Sequence, residues 1–347
     1  VAATAIDDLA GNSYTGIADA TTLNFTSAAD NVSPTLVSSS PADNATGVAV
    51  DANIVLTFNE SVDAESGNIT LFKTGGATAE TIAVGSGLVS VAGNVVTINP
   101  NNLLDSAQGY YLQIASSGFD DVAGNSYAGI NDATTLNFTA ADVAGPTLSS
   151  STPADDATGV AVGANIVLTF DENVVAGSGN ITLKKSSDNS TVEAMDVGGA
   201  NVSISGAAVT VNPTADLDSS EGYYLQIAAT AFDDASGNSY AGINDTTTLS
   251  FTAADVVGPT MVITSTTSGV SSGSTTNDST INLTFTANEA ATGFAANDIT
   301  VSGGSVSSFA TVSSTVYTAT FTPSGAGATT VDVAGSKFTD AAGNNNS

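Results

Sequence analysis

The stretch Asp7-Asp8-Leu9-Ala10-Gly11-Asn12-Ser13-Tyr14 returns as Asp120-Asp121-Val122-Ala123-Gly124-Asn125-Ser126-Tyr127 and again as Asp233-Asp234-Ala235-Ser236-Gly237-Asn238-Ser239-Tyr240, so the chain steps from 7 to 120 to 233 in equal strides of 113 residues. A shorter echo, Asp340-Ala341-Ala342-Gly343-Asn344, stands close to residue 347. Solenoid repeats have periods of roughly 20 to 50 residues. A stride of 113 is a whole small domain. The chain is therefore expected to fold as copies of one domain, each with its own core, and to work by length and rigidity more than by chemistry.

Boundaries are marked three times by Ala-Ala-Asp-x-x-x-Pro-Thr: Ala28-Ala29-Asp30 to Pro34-Thr35, Ala140-Ala141-Asp142 to Pro146-Thr147, and Ala253-Ala254-Asp255 to Pro259-Thr260. Short linkers carrying a proline limit the hinge. These marks predict domains over 31–143, 144–256 and 257–347. Residues 1–30 match the closing part of the full repeats without the strands that should come first, and read as the C-terminal fragment of a preceding repeat. The third domain is divergent, and the strand that follows the Asp-x-Ala-Gly-Asn motif in the full repeats has no counterpart in it. Two explanations stand for these ends: an excerpt of a longer protein, or an orphan strand near Ala20–Thr26 that completes a neighbouring molecule's unfinished sandwich.

Within a repeat the apolar period is two. Asn53–Phe58 sets Ile54, Leu56 and Phe58 on one face, and Asn165–Phe170 copies it. Gly67–Phe72, Asn94–Ile98, Gly109–Ile114 and Thr134–Phe138 behave alike, with Gly, Asn, Asp and Pro between the runs. In the third domain Ser279–Phe285, Thr315–Phe321 and Thr329–Val333 are the corresponding runs. β-Branched and aromatic residues alternating over short runs predict strands, and about seven per repeat predict two-sheet antiparallel sandwiches. The fold class expected is all-β, as tandem sandwiches in an elongated string.

Charge narrows the partners. Four lysines (Lys73, Lys184, Lys185, Lys337) stand against 34 acids, a formal net charge of −30. Phosphate neutralisation needs clustered cations, so nucleic acid is not an expected partner. An anionic membrane surface is not expected for the same reason. No apolar run approaches the length of a membrane helix. The absence of Cys and His removes thiolate and imidazole chemistry. Catalysis by Glu60 and Glu172, which recur at matching strand ends, would need a second carboxylate across a cleft that sandwich repeats do not offer. The chain is not expected to be an enzyme. Tyr110-Tyr111 and Tyr223-Tyr224 sit on strands, where neighbours face opposite ways, so one of each pair is expected in the core and one at the surface.

The first two repeats resemble bacterial Ig-like domains of the kind found in S-layer and other surface proteins. The residues that carry the resemblance are Ser39-Ser40-Pro41-Ala42-Asp43, Leu56-Thr57-Phe58-Asn59-Glu60-Ser61-Val62, Gly109-Tyr110-Tyr111 and Asp121-Val122-Ala123-Gly124-Asn125, with second copies beginning at Ser151, Leu168, Gly222 and Asp234. The third domain looks like the related repeats of very large secreted adhesins, through Ala296-Asn297-Asp298-Ile299-Thr300-Val301 and Phe338-Thr339-Asp340-Ala341-Ala342-Gly343-Asn344. The resemblance implies an extracellular, cell-surface stalk, adhesin, fibre or S-layer component. Its expected partners are the neighbouring repeats of the same chain and, in a fibre or layer, other copies. A glycan- or protein-binding module is the alternative. The stretch most altered between copies, Lys73–Gly93 against Lys184–Gly206, is then either a ligand face or a tolerant edge.

Chemistry, if any, belongs to the acids. Calcium takes six to eight oxygens from carboxylates, amides and carbonyls, roughly. Adjacent aspartates, a glycine for a sharp turn and an asparagine four residues on can offer several of these in one loop. The candidate ligands are Asp7, Asp8 and Asn12; Asp120, Asp121 and Asn125; Asp233, Asp234 and Asn238; Asp340 and Asn344; and the linker acids Asp30, Asp142 and Asp255. The competing reading is an Asx turn, with each carboxylate accepting from backbone N–H groups. The family resemblance implies calcium at domain junctions, where it would fix domain angles.

Overall fold

The computed structural model describes residues 1–26 and 28–347. They form two compact units, Val1–Ala144 and Gly145–Ser347. The architecture is all-β, and the described residues hold no α-helix.

In the first unit the sandwich is built from β1 (Leu36–Ser40), β2 (Ala45–Val48), β3 (Ile54–Phe58), β4 (Val62–Ala64), β5 (Asn68–Lys73), β6 (Thr78–Ala83), β7 (Val89–Ala92), β8 (Val95–Ile98), β9 (Gly109–Ile114), β10 (Phe119–Asp121) and β11 (Asn137–Ala140). One sheet runs β1-β3-β8-β7 and the other β2-β11-β9-β5-β6, with a short β10-β4 ribbon beside them. Period-two patterning decides which side chains meet. Ile54, Leu56 and Phe58 of one sheet and Tyr110, Leu112 and Ile114 of the other point into a common core, while Val55, Thr57, Tyr111 and Gln113 stay part-exposed. Each fully buried aliphatic contributes about 1.5–3 kcal/mol. β11 has a special place: it pairs antiparallel with β9 and parallel with β2, and so holds the first strand's continuation to the sheet.

β11 begins at Asn137, later than the run Thr134–Phe138 suggests. The reason is local. The Asp132 carboxylate accepts from the N–H groups of Thr134 and Thr135, each at 2.7 Å, and these amides are thereby turned away from the ladder. Residues 1–26 contain one isolated bridge, Asp7↔Ser13, and no strand. The orphan strand expected near Ala20–Thr26 is thus unpaired among the described residues. Residue 27, inside the expected 1–30 fragment, lies outside them.

In the second unit, β12 (Leu148–Thr152), β13 (Ala157–Val160), β14 (Ile166–Phe170), β15 (Val175–Ala176), β16 (Asn180–Lys185), β17 (Thr191–Asp196), β18 (Val202–Ser205), β19 (Ala208–Val211), β20 (Gly222–Ile227), β21 (Phe232–Asp233) and β22 (Ser250–Ala253) repeat the first plan, with sheets β12-β14-β19-β18 and β13-β22-β20-β16-β17. Phe170 packs edge-on to Tyr240 at 5.2 Å, as Phe58 does to Tyr127 at 5.0 Å, so in these two sandwiches the Tyr that closes the motif anchors its loop to the core.

The third sandwich is smaller. It comprises β23 (Met261–Ser265), β24 (Ile281–Ala287), a single 3-10 turn (Ala296–Asp298), β25 (Ile299–Ser302), β26 (Gly304–Thr311), β27 (Val316–Pro323) and β28 (Thr330–Val333). A four-stranded sheet, β23-β24-β27-β26, faces a sheet of two strands, β25-β28. Its core holds eight buried apolar residues where the first sandwich holds twenty.

Candidate metal centres

Each repeated loop is a turn closed by its second aspartate. Asp8 Oδ1 accepts from the N–H groups of Ala10 and Asn12, each at 2.9 Å, and Asp8 Oδ2 accepts from Asn12 Nδ2 at 2.9 Å. Asp121, Asp234 and Asp340 repeat the pattern, taking the Nδ2 of Asn125, Asn238 and Asn344 at 2.7, 2.7 and 2.8 Å. Gly124 carries φ +89°, a conformation that only glycine adopts without strain. The Asx-turn geometry is therefore present in every copy. The bond from the Asn12 side chain holds the Asp8 carboxyl below its ordinary value, and that from Asn125 does the same for Asp121. For Asp234 and Asp340 burial pushes the other way, and the asparagine and backbone bonds outweigh it.

The asparagine also reaches the linker. Asn125 Nδ2 donates to the Asp30 carbonyl at 3.2 Å and Asn344 Nδ2 to the Asp255 carbonyl at 3.1 Å. A second tie comes from the strand end. The residue before each recurring glutamate holds the threonine after the linker proline: Asn59 Oδ1 accepts from Thr35 N at 2.6 Å, Asp171 Oδ1 from Thr147 N at 2.7 Å, and Asn288 Oδ1 from Thr260 N at 2.7 Å. These two ties bring three segments together. In the first unit carboxylate oxygens of Asp30, Glu60 and Asp121 lie within 4.8 Å of one another, and in the second unit so do those of Asp255, Glu289 and Asp340. Glu172 and Asp234 meet in the same way in the second sandwich.

Oxygens bound to one calcium at about 2.3–2.6 Å are at most about 5 Å apart, so triads this close fit the ion's first shell. Glu289 is pushed above the ordinary carboxyl value, by burial first and then by the charges of Asp255 and Asp340. Like charges gathered in this way are relieved by a cation. Two of the four lysines are engaged elsewhere, Lys73 with Asp105 and Lys185 with Asp218.

The structure gives the candidate residues three different settings. Asp8 and Asn12 form a turn of their own, at an exposed place. Asp30, Asp121, Asp255 and Asp340 converge with a glutamate, and Asn125 and Asn344 position them. Asp142 Oδ1 accepts from Ser106 Oγ at 2.8 Å, and Asp255 Oδ1 from Ser219 Oγ at 2.9 Å. The first aspartate of each pair has another setting: Asp7, Asp120 and Asp233 bridge to Ser13, Ser126 and Ser239, and none of the three belongs to a converging set. The candidate ligands read from the sequence did not include Glu60 and Glu289, which the fold brings beside them. The available signal was the recurrence of an amide or acid followed by Glu at the end of β3, β14 and β24.

Other candidate surfaces are polar and internally satisfied. A cleft of about 330 Å³ is lined by Lys73, Glu80, Asn102, Asp105 and Tyr110 among others. Glu80 accepts there from the N–H groups of Asn101 and Asn102 at 3.1 and 3.3 Å, and Tyr110 Oη from Asp105 N at 2.8 Å. Tyr110 is core and Tyr111 part-exposed, as the alternation predicts. The second copy departs from that expectation: Tyr224 is buried with Tyr223, its hydroxyl donating to Asn189 Oδ1 at 3.1 Å. The longer turn between β16 and β17 folds over it.

A family model described as bacterial Ig-like domain matches residues 30–140 and 142–253, and a second model with the same description matches 255–347. No curated protein matches the chain. Among solved structures it is similar to surface layer protein SbsC, domains 1-6, at 14% identity over 88% of this chain and 53% of that one, TM-score 0.24. It is also similar to the BSP domain of a biofilm associated protein, at 13% identity over 65% and 29%, TM-score 0.19. Invasin, a bacterial integrin-binding protein, matches at 15% identity over 86% and 56%, TM-score 0.29. The chain spans about half, or less, of the length of these structures.

Proposed function

The chain belongs to the bacterial Ig-like domain family, and on that premise we propose that it is a structural repeat segment of an extracellular surface protein, an adhesin stalk or fibre, stiffened by calcium at its linkers. The observation that carries the reading is the recurrence of one linker arrangement: a loop Asp, a strand-end Glu and a linker Asp converge in copies that otherwise differ in strand number. Selection for a ligand would diversify a loop set. Here the motif loop keeps Asp121, Gly124, Asn125 and Tyr127 as Asp234, Gly237, Asn238 and Tyr240, and the altered stretch Lys73–Gly93 includes the edge strands β6 and β7.

Extracellular modules bind calcium at roughly 10⁻⁴ to 10⁻³ M, so at millimolar calcium each filled site would contribute on the order of 1 kcal/mol. The effect is then chiefly mechanical, a fixed angle between consecutive sandwiches. Small-angle scattering and thermal melting of the chain, with calcium and after EDTA, test it. A shift in both on chelation is expected, abolished by Asp121→Asn together with Asp340→Asn. Superimposable profiles and melts would reduce the loops to plain Asx turns.

A further inference from the structure

The first strand of each sandwich lies at the edge of its four-stranded sheet: β1 and β12 in the first two, β23 in the third. In the first two that edge is guarded. β1 pairs with β3 through a shift of register between Leu36 and Ser38 and runs into Pro41, and β12 pairs with β14 through a shift between Leu148 and Ser150 and runs into Pro153. Irregular pairing and prolines are devices that keep one sheet edge from pairing with another. β23 has neither. Its 5 residues, Met261 to Ser265, pair with β24 without a shift, and the chain holds no proline between Pro259 and Pro323. Of the other outer strands at least as long, β6 and β17 carry Glu80 and Glu193, and β26 shifts register between Ser307 and Ala310.

The backbone at this edge is free to pair. Asn288 N donates to the Thr260 carbonyl at 3.2 Å and Thr266 N to the Asn282 carbonyl at 2.9 Å. Bonded and non-bonded pairs alternate along an antiparallel ladder, so between these two limits Val262 and Thr264 bond to β24. Met261, Ile263 and Ser265 turn their N–H and C=O groups the other way, and among the described residues no strand meets them. Charge selects what can. The net charge is −30, yet β23, β24, β26 and β27 contain no charged residue, so an acidic molecule is not repelled from this sheet. The nearest acids gather at one end of β23: Thr260 N is held by Asn288 Oδ1, and the next residue, Glu289, converges with Asp255 and Asp340. A like strand added parallel would set two such triads side by side. Added antiparallel, it sets each triad beside the Ser265 end of the other strand, where the chain is uncharged as far as Asn277.

We propose that β23 of one copy pairs antiparallel with β23 of a second copy, joining their four-stranded sheets into one. The twofold axis passes through Ile263, so that Ile263 faces its own counterpart, Met261 faces Ser265 and Val262 faces Thr264. This register uses every outward N–H and C=O of Met261, Ile263 and Ser265. It also keeps the half-buried Met261, Ile263 and Ser265 on the core side of both sheets and the exposed Val262 and Thr264 on the outer side. A slip of one residue would set the two faces against each other. This pairing goes beyond the surface-repeat reading and needs no bound ion.

The chain has no cysteine, so Val262→Cys in one preparation and Thr264→Cys in another give a selective assay. Non-bonded antiparallel pairs hold their Cα atoms about 4.5 Å apart, within the reach of a disulfide. The two chains, distinguished by mass tags, are mixed and oxidised, and the mixed disulfide is expected to exceed both homodimers several-fold. Without cysteines, Val262→Lys with Thr264→Lys sets lysine against lysine, and Val262→Glu with Thr264→Glu sets glutamate against glutamate. Each of these chains is expected to sediment as a monomer at concentrations where the unaltered chain dimerises, and their equimolar mixture to recover the dimer. Both positions are exposed, so unchanged melts confirm that folding is intact. In the unaltered chain the amides of Met261, Ile263 and Ser265 are expected to gain protection from exchange as concentration rises. A mixed product no more abundant than the homodimers, or a dimer indifferent to the lysines, overturns the proposal. So does protection of the Ile263 amide that is independent of concentration, since a segment of the same chain then covers the edge. Any of these failures leaves the chelation experiments, and with them the linker reading, standing.

Discussion

Residues 1–26 and 114–139 are near copies in sequence and differ in what surrounds them. Their local hydrogen bonds agree: Tyr14 N donates to the Ile6 carbonyl at 2.8 Å as Tyr127 N does to Phe119, and Ile17 N to Val1 at 2.9 Å as Ile130 N does to Ile114. Their burial does not, with Tyr14 exposed where Tyr127 is core. The turns are thus encoded within the segment, by aspartates that satisfy nearby N–H groups, while burial is conferred by the sheet it joins. The sharpest way to break this comparison is to truncate the same ring twice. Phe138→Ala is expected to cost about 3–5 kcal/mol, and Phe25→Ala no more than about 0.5 kcal/mol, in denaturant unfolding of the monomeric chain. A large cost at Phe25 would mean that residues 1–26 already lie against a core.

The first and third sandwiches extend the contrast to equivalent strands. Leu112→Ala removes a fully buried side chain and should cost about 2–5 kcal/mol. Val331→Ala, half-buried, is expected to cost about 1 kcal/mol. Equal costs would show that the two side chains are equally buried.

The strands were legible in the sequence because a sheet with one buried face imposes period two, and runs such as Ile54-Val55-Leu56-Thr57-Phe58 carry it without interruption. The family was legible in the order of short motifs. What escaped was longer in range. The burial of Tyr224 depends on Asn189, from a turn between β16 and β17, which period-two reasoning on β20 alone cannot see. The late start of β11 depends on Asp132 taking amides that the apolar pattern would give to the ladder. The convergence of Glu60 with Asp30 and Asp121 depends on Asn59 holding Thr35, a contact 24 residues apart. The sequence groups the motif aspartates as one set, and only tertiary contacts distinguish the converging Asp121 from Asp120, which faces Asp63 across the β10-β4 ribbon.

Asp8 and Asp121 carry the comparison to the candidate ion sites. Both close the same turn, but only Asp121 converges with Glu60 and Asp30. Calcium should therefore stabilise the first sandwich by on the order of 1 kcal/mol, an effect removed by Glu60→Gln and left intact by Asp8→Asn. Isothermal titration of the three chains reads the difference directly. Heat of binding that survives Glu60→Gln but disappears with Asp8→Asn would place the ion in the wrong copy.

The smallest expected effect separates the twin turns by acid. The hydroxyl of Thr135, then the backbone N–H groups of Thr134 and Thr135, hold Asp132 at about 2, against an ordinary 3.8. The Thr248 hydroxyl and neighbouring N–H groups hold Asp245 at about 2 in the same way. Asp19 is lowered too, by the hydroxyls of Thr22 and Thr21. A carboxyl lowered in the folded state contributes stability that is fully present above its unfolded value and is lost as pH falls through its folded value. For Asp132 and Asp245 that window lies between about 3.8 and about 2. Their turns lead into β11 and β22, so protonation there should lower the global unfolding midpoint. The turn at Asp19 leads into an unpaired segment, so its protonation melts only itself. Asp132→Asn should accordingly flatten the decline of the unfolding midpoint across this window, whereas Asp19→Asn should leave it unchanged. A decline that responds to Asp19→Asn would couple residues 1–26 to a folded core and undo the contrast between the two copies.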